Sequence, residues 1–524
     1  MDVRAAWRQR VWLIAVALTG IGAALAQPVQ PAQPADGATP PVSRPVIECS
    51  GFRAYPGPPG LRKMFQLLPD APTTIQAATL VPAKDGLPEY CKVEGYAGGT
   101  VGFEVRLPTK TWNGKFLQQG CGAMCGIVSL ASCEDVLARN YAVVSTDMGH
   151  KSTAGDVKWA RNNRQAQIDF GYRATHVATL AAKAIVQAYY GRAPTSAYFR
   201  GCSTGGRQAM VEAQRYPDDY DGIIAGAPAN FMTHLSAHAL WVAQATLKDP
   251  ASLIPREKYA AIHKAVLDAC DALDGVKDGV LEDPSRCHFD PKSIQCTAGD
   301  APICLTPPQV EAARRIYAPA KNPRTGAEIF PGMALGSEMG WAALAGGPGP
   351  LTISNDHYRF IVFKNADWDF KTLDFDKDVA LADRLDDGVM NATDPNLKAF
   401  FNRGGRLLMY HGWVDQLISP RNSINYYESV VKAQGGAEKT ADSIRLFMVP
   451  GMAHCAGGDG TSTFDSVTTL EQWVEQKKTP AQIIASHITS GTADRTRPLC
   501  PYPTIAAYKG TGDTNDAANF SCSK

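Results

Sequence analysis

The chain has 524 residues, 45% apolar and 20% charged, which excludes wholesale disorder and collagen-like structure. Its 52 basic residues balance 51 acidic ones, so no excess charge marks nucleic acid or an anionic membrane as a partner. Thirteen cysteines, an odd number, are many for a cytosolic enzyme.

The first segment accounts for the cysteines. Arg4, Arg8 and Arg10 form a basic start, Val11 to Leu25 is apolar, and Ala24-Leu25-Ala26 is an A-x-A cleavage pattern. Residues 1–26 therefore read as a signal peptide, which makes the protein secreted or periplasmic. The apolar run is shorter than the roughly 18–20 residues of a membrane span, and no later stretch is long enough, so no membrane contact is expected after cleavage. Residues 27–45, rich in Pro, Ala and Gln, read as a flexible tether. All cysteines lie beyond the cleavage site, in a compartment where disulfides persist.

Short apolar runs follow at residues 115–120, 141–145, 197–201, 222–226, 407–410 and 445–449. Near-continuous apolar runs suit strands buried on both faces of a parallel sheet. Tyr172 to Tyr190 has the period and alanine content of a helix packed on such a sheet. The alternation predicts an α/β fold. Residues 230–395 break the rhythm with four cysteines, an Asp/Gly-rich loop and Gly/Pro-rich stretches such as 346–350. They read as a lid domain inserted into a catalytic domain made of 46–229 and 396–524.

Gly201-Cys202-Ser203-Thr204-Gly205 is a G-x-S-x-G sequence between a strand-like run and a helical stretch. Strand–turn–helix is what a nucleophile elbow needs, since the glycines permit a turn that lifts the serine hydroxyl clear of the backbone. A serine hydroxyl needs a base, usually a histidine oriented by a carboxylate. The order Ser, acid, His selects Asp415, after the run 407–410, and His454, after 445–449. His411 precedes Asp415 and breaks that order, so it reads as orienting the loop. Cys202 and Cys455 flank the serine and the histidine, and a bond between them would staple the two loops together.

Gly-Cys-Ser-Thr-Gly-Gly-Arg (201–207), His-Gly-x-x-Asp (411–415), Pro-Gly-Met-x-His-Cys (450–455) and the tail Arg497–Pro503 resemble the tannase/feruloyl esterase family, which includes bacterial hydrolases of mono(2-hydroxyethyl) terephthalate. The resemblance runs from about Cys49 to Cys522. It implies an α/β-hydrolase core with a large inserted lid, a Ser203–Asp415–His454 triad and a Cys202–Cys455 disulfide. It puts the oxyanion donors at the N–H groups of Thr204 and Ala123, the latter in the loop 120–125. It implies the pairs Cys49–Cys91, Cys270–Cys287, Cys296–Cys304 and Cys500–Cys522. Cys121, Cys125 and Cys133 then remain, and one further bond and one free thiol are expected among them.

Asp271-Ala-Leu-Asp-Gly-Val-Lys-Asp-Gly-Val280 gathers three carboxylates that repel one another unless a cation neutralises them. By itself the stretch is equally a solvated turn. The resemblance implies structural Ca2+ in the lid, held by Asp271, Asp274 and Asp278 side chains and the Val276 and Val280 carbonyls. Lid residues of the family form the substrate pocket. Trp341 and Ile418 are the expected contacts, with Tyr358 and Phe360 as further candidates, and each reads equally as plain lid core.

The expected function is a secreted serine esterase acting on small-molecule esters of aromatic acids, of hydroxycinnamate or gallate type. The lid shows no arginine matched to terephthalate recognition, Arg359 being only nearby, which places a hydrolase of terephthalate monoesters second. A non-catalytic calcium-dependent binder of polyphenol or carbohydrate is the alternative of another class. A metallohydrolase is weaker still, because the sequence shows no His/Asp cluster with an open metal position. The oligomeric state is not legible.

Overall fold

The computed structural model describes residues 44–52 and 60–524, so the expected signal peptide and all but the last two residues of the tether lie outside the described residues. In chain order the strands are β1 (Thr73–Val81), β2 (Tyr90–Ala97), β3 (Val101–Pro108), β4 (Lys115–Gln119), β5 (Ala142–Thr146), β6 (Ser196–Cys202) and β7 (Gly222–Gly226). A short pair, β8 (Ala320–Lys321) and β9 (Glu328–Phe330), precedes β10 (Arg406–Gly412) and β11 (Ile444–Val449). Two hairpins close the chain, β12 (Ile483–Thr489) with β13 (Thr492–Leu499) and β14 (Ile505–Tyr508) with β15 (Phe520–Ser523).

Nine strands form one sheet in the order β1-β2-β3-β5-β4-β6-β7-β10-β11. From β5 to β11 the pairing is parallel, and β5 and β7 are buried at every position, as their unbroken apolar runs require. The sheet begins with β1 to β3, paired antiparallel, which the sequence reading did not anticipate. β2 alternates between buried and half-buried positions, and a half-covered strand lacks the continuous run that marks a central one. The expected helix at 172–190 is α-helical from Ala174 to Tyr190, after a π-helical turn at Asp169–Arg173. Ala174, Ala178, Ala181 and Ala182 are buried on it, small enough to let the helix lie close to the sheet.

Between β7 and β10 the chain leaves the sheet for a long insertion. Its two ends meet where the Ala392 N–H donates to the Asn230 carbonyl at 2.7 Å. The helix Met232–Leu247 crosses it, and two apolar clusters pack there, one around Trp341 and one around Phe330 and Tyr358.

Six disulfides are present: Cys49–Cys91, Cys121–Cys125, Cys202–Cys455, Cys270–Cys287, Cys296–Cys304 and Cys500–Cys522. The expected further bond is Cys121–Cys125, and the free thiol is Cys133, buried and pushed up to about 12 by that burial.

His238 and His357 are buried in the insertion, and neither ring nitrogen of either has a hydrogen-bond partner among the described residues. Burial pushes both down to about 4 from the ordinary 6.5. Between these values the unfolded chain takes up protons that the folded one does not. Stability is therefore lost as pH falls through that window, on the order of 3 kcal/mol for each histidine. Glu212 and Glu282, whose carboxyls burial raises, act in the opposite sense, so the informative quantity is a difference between proteins. His357→Phe is expected to lose less thermal stability than its parent between pH 7 and pH 4.5. Identical pH slopes in calorimetry would refute this.

Candidate active site

β6 runs straight into Ser203, and the helix Thr204–Arg215 starts at the next residue. Ser203 has φ 63° and ψ −123°, a left-handed φ that costs a non-glycine residue roughly 1–3 kcal/mol. Its neighbours hold it there. The Ser203 N–H donates to the Gly226 carbonyl at 3.0 Å, and its own carbonyl accepts from Arg207 N and Ala229 N, each at 3.0 Å. The turn is tight enough that a Cβ on Gly201 would overlap the Gly205 carbonyl, and one on Gly206 the Gly226 carbonyl. Glycine is required at both positions, and the pentapeptide pattern records one of these approaches.

Asp415 follows β10 and has no exposed surface. Its Oδ1 accepts from Leu417 N at 2.8 Å and Ile418 N at 3.0 Å. Its Oδ2 accepts from His454 Nδ1 at 2.7 Å and His411 Nε2 at 3.0 Å. Burial pushes this carboxyl up, but the hydrogen bonds and charges of the two histidines outweigh it and hold it below the usual carboxylate range. Since His411 Nε2 also lies 3.1 Å from the Ile418 carbonyl, that nitrogen carries the proton, and Nδ1 accepts from Ser423 Oγ at 2.7 Å. His411 thus does more than orient a loop. It binds the carboxylate itself.

His454 follows β11, and its N–H donates to Gln416 Oε1 at 3.1 Å. The Nδ1 bond to Asp415 leaves Nε2 as the free, basic nitrogen. No hydrogen bond joins Nε2 to Ser203 Oγ, and neither atom has another protein partner among the described residues; such links commonly tighten only when substrate binds. The Cys202–Cys455 disulfide, with Cα atoms 6.0 Å apart, ties the residue before the serine to the residue after the histidine.

Beside the elbow, the Cys121–Cys125 disulfide closes the loop that holds Ala123, whose φ is 52°. Thr204 Oγ donates to the Ala123 carbonyl at 2.6 Å. Gln208, about one turn along the helix, accepts from Cys121 N at 3.2 Å. The N–H groups of Thr204 and Ala123 have no protein acceptor among the described residues, as oxyanion donors require. Gln208 and Gln416 are missing from the sequence reading, because neither stands in a pattern that marks its role.

The expected substrate contacts fare differently. Trp341 is 2% exposed, sits edge-on to Tyr317 and Tyr259, and donates Nε1 to Ser337 Oγ at 3.1 Å. It is lid core, with no ring face left for a ligand. Ile418 is 3% exposed and belongs to the apolar cluster of Leu240, Phe330 and Tyr358, while its backbone serves Asp415 and His411. It braces the acid loop. Tyr358 and Phe360 are buried as well.

In the acidic loop, Asp274, Val276, Asp278, Val280 and the unexpected Glu282 line a cavity of about 20 Å³, room for one small species. Asp271 does not line it. Its carboxylate instead accepts from Asp278 N at 3.3 Å and Gly279 N at 3.1 Å, closing the turn. Burial, with the charges of Asp278 and Asp271, pushes Asp274 up to about 6. Arg497 and Arg495 meet Asp278 Oδ2 at 2.7 and 3.2 Å. Asp274, Asp278 and Glu282 supply hard oxygen atoms of the kind a cation takes, with Arg495 and Arg497 on the same wall.

A His/carboxylate group does exist, contrary to the sequence reading: His176, Glu212 and Asp219 place ligand atoms within 4.8 Å of one another. Glu212 is nine residues beyond Ser203 on the same helix, about 13 Å away by helical rise. Burial first, and then Asp219, pushes its carboxyl well up, and Lys183 bonds the Asp219 carbonyl. His176 Nδ1 meets Asp219 Oδ2 at 2.6 Å, and both carboxyl oxygens of Glu212 are buried with no hydrogen-bond partner among the described residues.

A doubly bonded buried aspartate, a histidine with a free ring nitrogen and an elbow serine on a mostly parallel sheet define a carboxylic ester hydrolase of α/β-hydrolase fold. The family description "Tannase and feruloyl esterase" matches residues 87–523, and the chain belongs to that family. It is 38% identical over 512 residues to an uncharacterized esterase of Xanthomonas campestris pv. campestris, covering 86% of this chain and 89% of that one. It is 34% identical over 548 residues to the mono(2-hydroxyethyl) terephthalate hydrolase of Piscinibacter sakaiensis, covering 87% and 89%. The crystal structure of feruloyl esterase B from Aspergillus oryzae superposes with a TM-score of 0.80 at 28% identity, over 86% of this chain and 97% of that one.

Proposed function

We propose that the chain is a secreted serine esterase that cleaves esters of aromatic acids, of hydroxycinnamate or gallate type, through an acyl-enzyme on Ser203. The observation that carries this reading is the 2.7 Å bond from His454 Nδ1 to a buried Asp415, on loops tied to the serine by Cys202–Cys455. Ser203 Oγ attacks the ester carbonyl as His454 Nε2 takes its proton. Asp415 holds the ring with Nδ1 protonated and stabilises the imidazolium. The Thr204 and Ala123 N–H groups receive the oxyanion, the alcohol leaves with the proton from His454, and water releases the acid by the same steps. Feruloyl and terephthalate esters are what the named relatives act on. The terephthalate monoester reading has less support here, because the Arg359 guanidinium is held by the Ala366 carbonyl and Asp356 and is not free for a carboxylate.

A fluorophosphonate is expected to label the protein once, on the peptide containing Ser203, and Ser203→Ala is expected to remain unlabelled. Absence of labelling favours the non-catalytic binder. Turnover of methyl ferulate, methyl gallate and a terephthalate monoester ranks the substrates. Twelve paired cysteines support export from the reducing cytosol, and no helix among the described residues is long and apolar enough to cross a membrane.

The acidic loop is assigned structural calcium. Asp274, Asp278 and the Val276 and Val280 carbonyls would hold it, with Glu282 beside them and Asp271 either joining or shaping the turn. Its contribution is to stability. Chelation is expected to lower the melting temperature by several degrees and leave kcat at 25 °C unchanged. Elemental analysis showing no calcium, together with an unmoved Tm, removes the assignment.

A further inference from the structure

A cavity of about 560 Å³ lies along the seam between the insertion and the sheet, and none of Ser203, Asp415 or His454 lines it. Its size falls in the range that holds a small aromatic molecule. Phe289, Tyr317 and Met333 contribute from the insertion, and Trp413 from the end of β10. Phe289 and Tyr317 are half-buried there, while Met333 and Trp413 are buried in its wall.

The polar groups at its rim are unequal in charge. Asp290 is already engaged, because Arg314 meets both its oxygens at 2.9 and 2.7 Å. Arg421, exposed at the start of the helix Arg421–Ala433, has no hydrogen-bond or ion-pair partner among the described residues, and neither does exposed His288. The unsatisfied charge of the groove is therefore positive. An aromatic wall with one free guanidinium complements a planar anion, and a carboxylate is the anion whose two oxygens match a guanidinium fork.

We propose that this groove is a second binding site for an aromatic carboxylate, the class of acid that the esterase reaction releases. The identity of the ligand rests on the esterase reading, whereas the site rests on the groove itself. Its position gives it leverage on the reaction. Trp413 lies two residues before Asp415, and Ser419, also on the wall, donates to the Gly332 carbonyl at 2.6 Å, joining the acid loop to the insertion. An acid bound there loads the segment that presents Asp415 to His454. The released acid then changes kcat without competing for the serine.

The test uses the full mature protein with its serine blocked by a phosphonate, so that the catalytic centre is filled. Ferulate is titrated by calorimetry. Binding of one equivalent is expected, with Kd on the order of 1 mM for a ligand of this size. Arg421→Glu and Ser285→Trp, both at exposed rim positions, are each expected to weaken it about tenfold or more, as is replacing ferulate by its methyl ester. In unblocked enzyme, ferulate is expected to lower kcat in the parent and not in Ser285→Trp. A labelled enzyme that binds no ferulate, or binds it equally well in both variants, overturns the site. A protein that resists labelling contradicts the esterase reading instead, and the titration of the unlabelled protein and its two variants still decides the groove.

Discussion

Asp415→Asn is expected to lower kcat/KM on a chromogenic aromatic ester by about 10³–10⁴-fold, the scale of losing the orienting carboxylate in a Ser-His-Asp system. The local geometry makes the case here. Four donors converge on this side chain, two backbone N–H groups on Oδ1 and two imidazole N–H groups on Oδ2. A carboxylate accepts all four, whereas a carboxamide has one accepting oxygen. If the amide NH2 faces the histidines, His454 must move its proton to Nε2, the atom that should receive the proton of Ser203. If the NH2 faces the backbone, Leu417 and Ile418 lose their acceptor and the loop shifts. Either orientation leaves buried donors unpaired, each at about 1–3 kcal/mol. A fall in kcat well below the melting temperature, with KM nearly unchanged, is the expected pattern. A loss of less than tenfold removes Asp415 from the triad. Because both histidines hold the Asp415 carboxyl below the usual range, its protonation plays no part in activity near neutral pH.

The second large effect is expected from cutting the tie across the centre. Cys202→Ser/Cys455→Ser opens a loop closed over a sequence separation of 253 residues, which the chain-entropy description values at up to about 5 kcal/mol. For a chain of this length that corresponds to a fall in Tm on the order of 5 °C. The kinetic effect separates this bond from the other five. It joins the elbow to the histidine loop, so its loss frees the angle between nucleophile and base, and kcat is expected to drop by at least about tenfold. Cys500→Ser/Cys522→Ser, in the tail, serves as the comparison, with stability lowered and kcat retained. Equal kcat in both double variants would show that the bond only stabilises.

The parts of the fold that the amino-acid sequence discloses are those where one physical demand dominates. β4 to β7, β10 and β11 are buried on both faces and therefore spell out apolar runs. β1 is half-exposed along most of its length, and β12 to β15 form small separate hairpins with no such run. Ser203, Asp415 and His454 are legible because backbone sterics and strand ends constrain their neighbours. Glu282 is not, because its burial depends on the tail, where Ala506 N donates to it at 2.8 Å. Trp341 is misleading for a related reason. A large aromatic residue in a lid suits a pocket wall and a core equally, and only the packing of Tyr259 and Tyr317 decides between them.

The meeting of Asn230 and Ala392 has a consequence for how the insertion can be exchanged. The Ala392 N–H bonds the Asn230 carbonyl, and Asn230 Nδ2 bonds the Ala392 carbonyl at 3.4 Å, so the segment 231–391 enters and leaves at one junction, while Ser419, Arg497 and Ala506 bond it from outside. A segment whose entry and exit are paired can lengthen or shorten while the ends that lead to β7 and β10 stay in place. A laboratory graft should be spliced at these two residues and must supply partners for Ser419, Arg497 and Ala506.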